Sequence, residues 1–277
     1  MPFLLFVRRL FELSPITISR CFLHRPLKAI SQFVAPESNW FHPVHGLSLY
    51  PIFLLLLQIS LNWDFPTQNY GDRPHGDNKY RGVTPAFIIW NLIQRYTKEE
   101  DLVVDPMCGS GTTIDVCKEE NRRVLGFDIV PYRADIKQAD ARNLPLNNEV
   151  ANFVFIDSPY SDNIKYNDHP DNIGNISCEN AKFFEELEKI AKEAHRILKT
   201  GKYIAWLIGD QAKKKKFVPV GLKLYSILDK YFEPVDVVCV TRHHQTSNTP
   251  LWHERARKYN FYLRGFKYLI IMRKVNK

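Results

Sequence analysis

Four short segments place chemistry-bearing residues at intervals through the middle of this chain. The first is Asp105-Pro106-Met107-Cys108-Gly109-Ser110-Gly111-Thr112-Thr113. Its glycines let the backbone approach a ligand closely, and the helix expected after it opens with free N–H groups. Such a turn serves a dinucleotide, a phosphate or a sulfonium cofactor, and it also occurs as a plain tight turn. It lacks the third glycine of the dinucleotide fingerprint and the Gly-Lys-Ser/Thr of a P-loop. The second segment ends in Phe127-Asp128. A carboxylate about 20 residues past a glycine turn is placed to accept hydrogen bonds from a ribose. The third, Gln138-Ala139-Asp140-Ala141-Arg142, offers a carboxylate to an adenine amino group. The fourth, Asp157-Ser158-Pro159-Tyr160, combines an acceptor for an amino group, a fixed turn and an exposed aromatic face on which a base can stack. Any one of these carboxylates alone is what a solvated strand end carries. Their serial order gives them weight.

The elements between them must put all four at one edge. Seven apolar runs read as strands, namely LVVDP, VLGFDIV, a short one around ADIKQADA, VANFVFIDSP, KYIAWLIGD, VDVVCVTR and FKYLIIMRK. Helical patterns separate them. Thr84-Pro85 opens PAFIIWNLIQRY with a cap residue and a proline at the first helical position. TTIDVCKEEN follows the glycine turn, Glu179 to Leu198 has one apolar face, and Pro219 to Tyr231 forms a further helix. Strands alternating with helices specify a mostly parallel, doubly wound α/β sheet. Ligands bind such sheets outside the carboxyl ends of the strands, which is where the four segments fall.

Together DPMCGSGTT, FDI, ADARNLP and IDSPY resemble the serial motifs of the DNA amino-methyltransferases, the N6-adenine and N4-cytosine enzymes. In that family the first motif is D-P-F-x-G-S-G-T-T and the catalytic one is D/N/S-P-P-Y/F. TPAFIIWNLIQRYTKEEDLVVDP also resembles the cofactor-capping helix of many members, and the likeness runs roughly from Asn62 to Lys274. The resemblance implies a Rossmann-like class I methyltransferase fold: a seven-stranded, mostly parallel sheet with a reversed last strand and helices on both faces. It implies S-adenosylmethionine as cofactor, held by Asp105, Pro106, Met107, Cys108, Gly109, Gly111, Thr112 and Thr113. Asp128 and Ile129 would take the ribose side, and Asp140 and Ala141 the adenine side. Asp157, Ser158, Pro159 and Tyr160 would form the catalytic motif, without a covalent enzyme intermediate. Two residues depart from the pattern. Ser158 stands for the usual first proline, which loosens the turn, and Met107 stands for phenylalanine. Asp157 tilts the target towards adenine, because cytosine enzymes tend to start with serine.

The chain has 277 residues and a formal net charge of +8, which favours a polyanionic partner. DNA is the expected one, with a specificity subunit or cognate nuclease as further partners. Lys165 and Tyr166 lie in a turn-rich loop after the catalytic motif. Arg242, His243, Arg255, Arg257 and Lys258 form a basic stretch interleaved with Trp252 and Tyr259. These residues are the candidate nucleic-acid contacts. The Lys213 to Lys216 run reads as a solvated loop that could also meet phosphates. Five scattered cysteines without a C-x-x-C pair suggest neither zinc nor a disulfide framework, and fit a cytoplasmic protein. Residues 1–63 read as an extension without chemistry and residues 64–277 as the catalytic domain. The apolar run from Leu47 to Leu61 is shorter than the ~20 residues of a spanning helix. It reads as a hydrophobic helix packed on the main domain, or as the product of a start codon assigned too far upstream, in preference to a membrane anchor or an organellar targeting peptide. Two other functions fit the same residues: an RNA base methyltransferase of the guanine-N2 type, and a non-catalytic nucleic-acid-binding subunit.

Overall fold

The computed structural model describes residues 57–213, 216–243, 245 and 248–276. The expected extension therefore lies outside the described residues as far as residue 56, as does most of the Leu47–Leu61 run. The described residues within 58–68 and 75–276 form one compact unit. Among the described residues no helix is long and apolar enough to cross a membrane.

In chain order the elements are β1 (Asn62–Trp63), α1 (Ala86–Tyr96), β2 (Leu102–Asp105), α2 (Thr112–Glu119), β3 (Arg123–Asp128), β4 (Lys137–Gln138) and β5 (Ala151–Asp157). Then come α3 (Ala181–Ile197), β6 (Leu198–Ile208), β7 (Gln211–Lys213), β8 (Lys216–Val218), α4 (Val220–Leu228), β9 (Glu233–Thr241), α5 (Pro250–Lys258) and β10 (Phe266–Arg273). The main sheet runs β1-β9-β10-β6-β5-β2-β3-β4. Pairings from β6 through β5, β2 and β3 to β4 are parallel. β10 alone runs antiparallel to both its neighbours, β6 and β9. The seven expected strands and the reversed last one are thus present in the expected arrangement, which is a class I methyltransferase sheet. β1, a two-residue edge strand parallel to β9, adds an eighth.

Central strands of such a sheet are covered on both faces, so they are apolar without alternation. β5 is buried from Ala151 to Ile156 and opens to solvent only at Asp157. Alternate side chains divide between the faces. Val154, Ile156, Ile204 and Trp206 pack with Phe183 and Leu187 of α3 and with Leu224 and Ile227 of α4. On the other face Tyr96 of α1 stacks on Phe153 and packs against Tyr203. α3 buries an apolar stripe running from Phe183 to Ile197, and each such side chain contributes ~1.5–3 kcal/mol on leaving water. Its amino end is capped by Asn180, whose side chain accepts from the Lys182 N–H at 3.0 Å.

Four local expectations need correction. Thr84 does not cap α1, whose first residue follows Pro85 without a side-chain cap. The lysine run is not a plain loop, because Lys213 and Lys216 pair across the β7–β8 hairpin, with Lys214 and Lys215 outside the described residues. α4 stops at Leu228, three residues before Tyr231. The basic stretch near the carboxyl end contains a helix, α5, that its sequence does not announce: it has no apolar face and buries nothing.

Candidate active site

The glycine turn is built around Asp105. This buried carboxylate ends β2 and accepts the Met107 N–H through Oδ1 at 3.0 Å and the Thr113 hydroxyl through Oδ2 at 2.5 Å. It therefore ties the two ends of the turn together. Gly109 and Gly111 have φ values of +53° and +90°, a left-handed region that side chains resist. Asp128, at the end of β3, accepts the Gly109 N–H at 3.0 Å and the Val130 N–H at 3.1 Å. The carboxylate expected to meet a ribose thus also fixes the turn. Close packing extends underneath, where a Cβ on Gly126 would lie 2.7 Å from both Cys108 Sγ and Ile114 Cδ1.

Burial raises Asp105 to about 7, aided by Asp128 and Asp157, and burial also raises Asp128. The buried Cys108 thiol is pushed well above its usual range, so it is no nucleophile. Pro106, Thr112 and Ala141 are buried, and Met107 and Ile129 half-buried. Asp140 pairs with Arg142, which also reaches Glu186 on α3. Burial works against the ionised form of Asp140, but the Arg142 hydrogen bonds outweigh it and hold the carboxyl low.

The Asp157-Ser158-Pro159-Tyr160 segment leaves the end of β5. Asp157 Oδ2 accepts the Thr84 hydroxyl at 2.6 Å, so the residue expected to cap a helix reaches the site instead. Lys267 of β10 places its Nζ 3.1 Å from each Asp157 oxygen. Ser158, expected to loosen the turn, does the opposite: its buried hydroxyl accepts the Trp206 indole N–H at 2.9 Å. Pro159 is half-buried. Tyr160, expected to be exposed, is only 6% exposed. Arg242 lies over its ring and donates to its hydroxyl at 3.2 Å.

Three tyrosines line the neighbouring wall. Tyr80 contacts Tyr132 edge-on with ring centroids 5.1 Å apart and lies 6.1 Å from Tyr166. A Cβ on Gly109 would come within 3.0 Å of the Tyr80 ring, so this ring covers the glycine turn. Tyr166 faces inward against Gly82, while Lys165 stays exposed and pairs with Asp168.

The basic residues do not converge. Arg242 reaches Tyr160, whereas His243 pairs with Asp64. Arg255, Arg257 and Lys258 are exposed on α5, where Arg255 lies over Trp252 and Lys258 over Tyr259. Thr84, Lys267, Trp206 and Tyr80 were absent from the sequence-derived site. Only Lys267 carried a sequence signal, as a cation near the start of a mostly apolar strand. Among the described residues no cluster of histidine, cysteine and acidic side chains could hold a metal.

The DNA methylase family of N6/N4 type matches residues 48–139, which include the glycine turn and Asp128. Over that stretch, about a third of the chain, the sequence is similar to the N6/N4 DNA methylases. It is 28% identical over 87 residues to the type II methyltransferase M.MjaII of Methanocaldococcus jannaschii, covering 30% of this chain and 16% of that protein. It is 46% identical over 44 residues to M.HindIII of Haemophilus influenzae, covering 16% of this chain and 14% of that protein. The matches thus span about a sixth of the length of these relatives. Among solved structures, TrmN from Thermus thermophilus aligns over 70% of this chain and 50% of its own, at 16% identity and a TM-score of 0.47. The strand order itself carries the fold.

Proposed function

We propose that this protein transfers a methyl group from S-adenosylmethionine to an exocyclic amino group of a DNA base, with adenine N6 favoured over cytosine N4. The observation that carries the reading is Asp157, oriented by Thr84 and Lys267 at the head of Asp157-Ser158-Pro159-Tyr160 and beside the glycine turn. The DNA methylase match supports DNA as the polymer. An aspartate at the head of the motif supports adenine.

The residues present fit the cofactor. Asp128 acts electrostatically on the buried Asp105, and an acidic site of this kind favours a cation. Ser110 Oγ, in the turn, is buried without a hydrogen-bond partner and is free for a polar ligand. Bound S-adenosylmethionine supplies an electrophilic methyl group on a sulfonium cation. Asp105 and Asp128 shape the turn, Asp128 and Asp140 offer acceptors, and Ile129 and Ala141 supply apolar contact.

A base amino nitrogen has its lone pair delocalised into the ring. Asp157 and a backbone carbonyl of the Pro159 segment accept its hydrogens and favour a more tetrahedral nitrogen with a freer lone pair. Catalysis then rests on position and electrostatics. The base must leave the duplex to reach this site. Arg242 must therefore leave the Tyr160 ring for a base to stack there.

The test is to give the protein radiolabelled S-adenosylmethionine with duplex DNA or with total RNA. Label in DNA is the expected result. Label confined to RNA would make the protein an RNA base methyltransferase, and label in neither polymer would contradict both readings.

A further inference from the structure

Lys267 and Asp157 are 110 residues apart in sequence, on strands separated in the sheet by β6. Both side chains are enclosed, at 16% and 11% exposure. The carboxylate offers roughly four acceptor positions. Thr84 uses one on Oδ2, and Lys267 uses one on each oxygen. The ammonium also lies 5.9 Å from the centroid of the Tyr160 ring. A donor with three hydrogens thus sits beside the acceptor for the target amino group and above the ring proposed to stack on the base.

We propose that Asp157 and Lys267 read the target base as an acceptor–donor pair. The carboxylate takes a hydrogen from the exocyclic amino group, and the ammonium donates to the unprotonated ring nitrogen next to it. The inference rests on the base-methylating function above and names the chemistry recognised: an amidine edge, as at N6 and N1 of adenine or N4 and N3 of cytosine. The lysine gives up its bond to Oδ1 for one to the base and keeps the bond to Oδ2, so no acceptor or donor is stranded. Thymine and uracil, whose N3 carries a hydrogen, set donor against donor and are rejected. A cationic donor on the ring also draws electron density from the amino nitrogen. The gain is therefore in recognition and orientation, and it falls on KM more than on kcat.

Lys267 would otherwise be only a counter-ion that neutralises a half-buried carboxylate. Base analogues separate the two roles. The full-length protein is given S-adenosylmethionine and single-stranded oligonucleotides of random sequence, and the methylated base is identified. That base is then replaced throughout by 1-deazaadenine, 3-deazacytosine or 3-deazaguanine, which keep the amino group and lose the ring acceptor. The wild type should prefer the natural base by about 10- to 100-fold in kcat/KM, the worth of a hydrogen bond to a charged group. Lys267→Met should raise KM and methylate natural base and analogue alike, and Lys267→Arg should keep part of the preference. Lack of preference in the wild type, which needs no variant to fold, overturns the proposal. So does a preference in Lys267→Met equal to that of the wild type. Methylation of no base at all overturns the functional reading, and this inference with it. Methylation without discrimination overturns this inference alone.

Discussion

The two halves of the site are held by different means. In the cofactor half, Asp105 bonds to residues two and eight positions on, and Asp128 bonds to Gly109, 19 positions back. Most acceptors there meet backbone N–H groups. In the target half, Asp157 is held by Thr84 and Lys267, 73 and 110 positions away, and Ser158 by Trp206, 48 away. All of these partners are side chains. A backbone-built turn tolerates exchange of the residues around it, whereas a side-chain-built site can be reset by a single substitution. On the proposed function, cofactor binding and target recognition should therefore be separable at one sheet edge.

The largest effect should come from Asp157→Ala. Removing the acceptor for the amino group should lower turnover by about 10²- to 10³-fold, the range seen when one transition-state hydrogen bond is lost. Cofactor affinity, measured by calorimetry, should stay within about twofold on the same scale. Loss of both would show that the halves are not separable. Asp128→Ala should do the reverse, weakening cofactor binding by about 10- to 100-fold with less effect on turnover at saturation.

Asp105 gives a pH test of the cofactor half. Burial raises it to about 7, so its share of folding stability is full below the ordinary carboxylate range and is lost as pH rises to about 7. A sulfonium cation favours the ionised form. Affinity for S-adenosylmethionine should therefore rise about threefold to tenfold between about pH 6 and about pH 8. S-adenosylhomocysteine, without the cationic sulfur, should show a smaller rise, and equal slopes would remove Asp105 from the cofactor site.

Thr84→Val removes one bond to Asp157 and should lower turnover by about 5- to 15-fold, with cofactor affinity unchanged. Smallest of all, Arg255→Ala or Arg257→Ala should weaken DNA binding uniformly and reduce the salt slope by about one, as loss of a phosphate contact does. An unchanged slope would take α5 out of the nucleic-acid interface.

The same difference explains what could be read from the sequence. The glycine turn and the Asp105, Asp128 and Asp140 positions were legible because their partners lie within a few residues or one βα unit. The strand order was legible because buried strands are apolar runs ending at those acids. Thr84 and Lys267 were not, since neither has a partner within reach in sequence. Thr84 even resembles a helix cap. Ser158 read as a loosened turn because Trp206 sits one strand away. α5 was missed because helix periodicity is visible only where one face is buried, and α5 has none.

The position of the methyl group on the base is the most direct test. Labelled DNA is digested to nucleosides, and the modified base is identified by mass spectrometry against standards. The account predicts an exocyclic product, N6-methyladenine ahead of N4-methylcytosine. Methyl on a ring carbon such as cytosine C5 would contradict it, because that product requires an enzyme nucleophile. The only thiol in the glycine turn, Cys108, is buried and held in its protonated form.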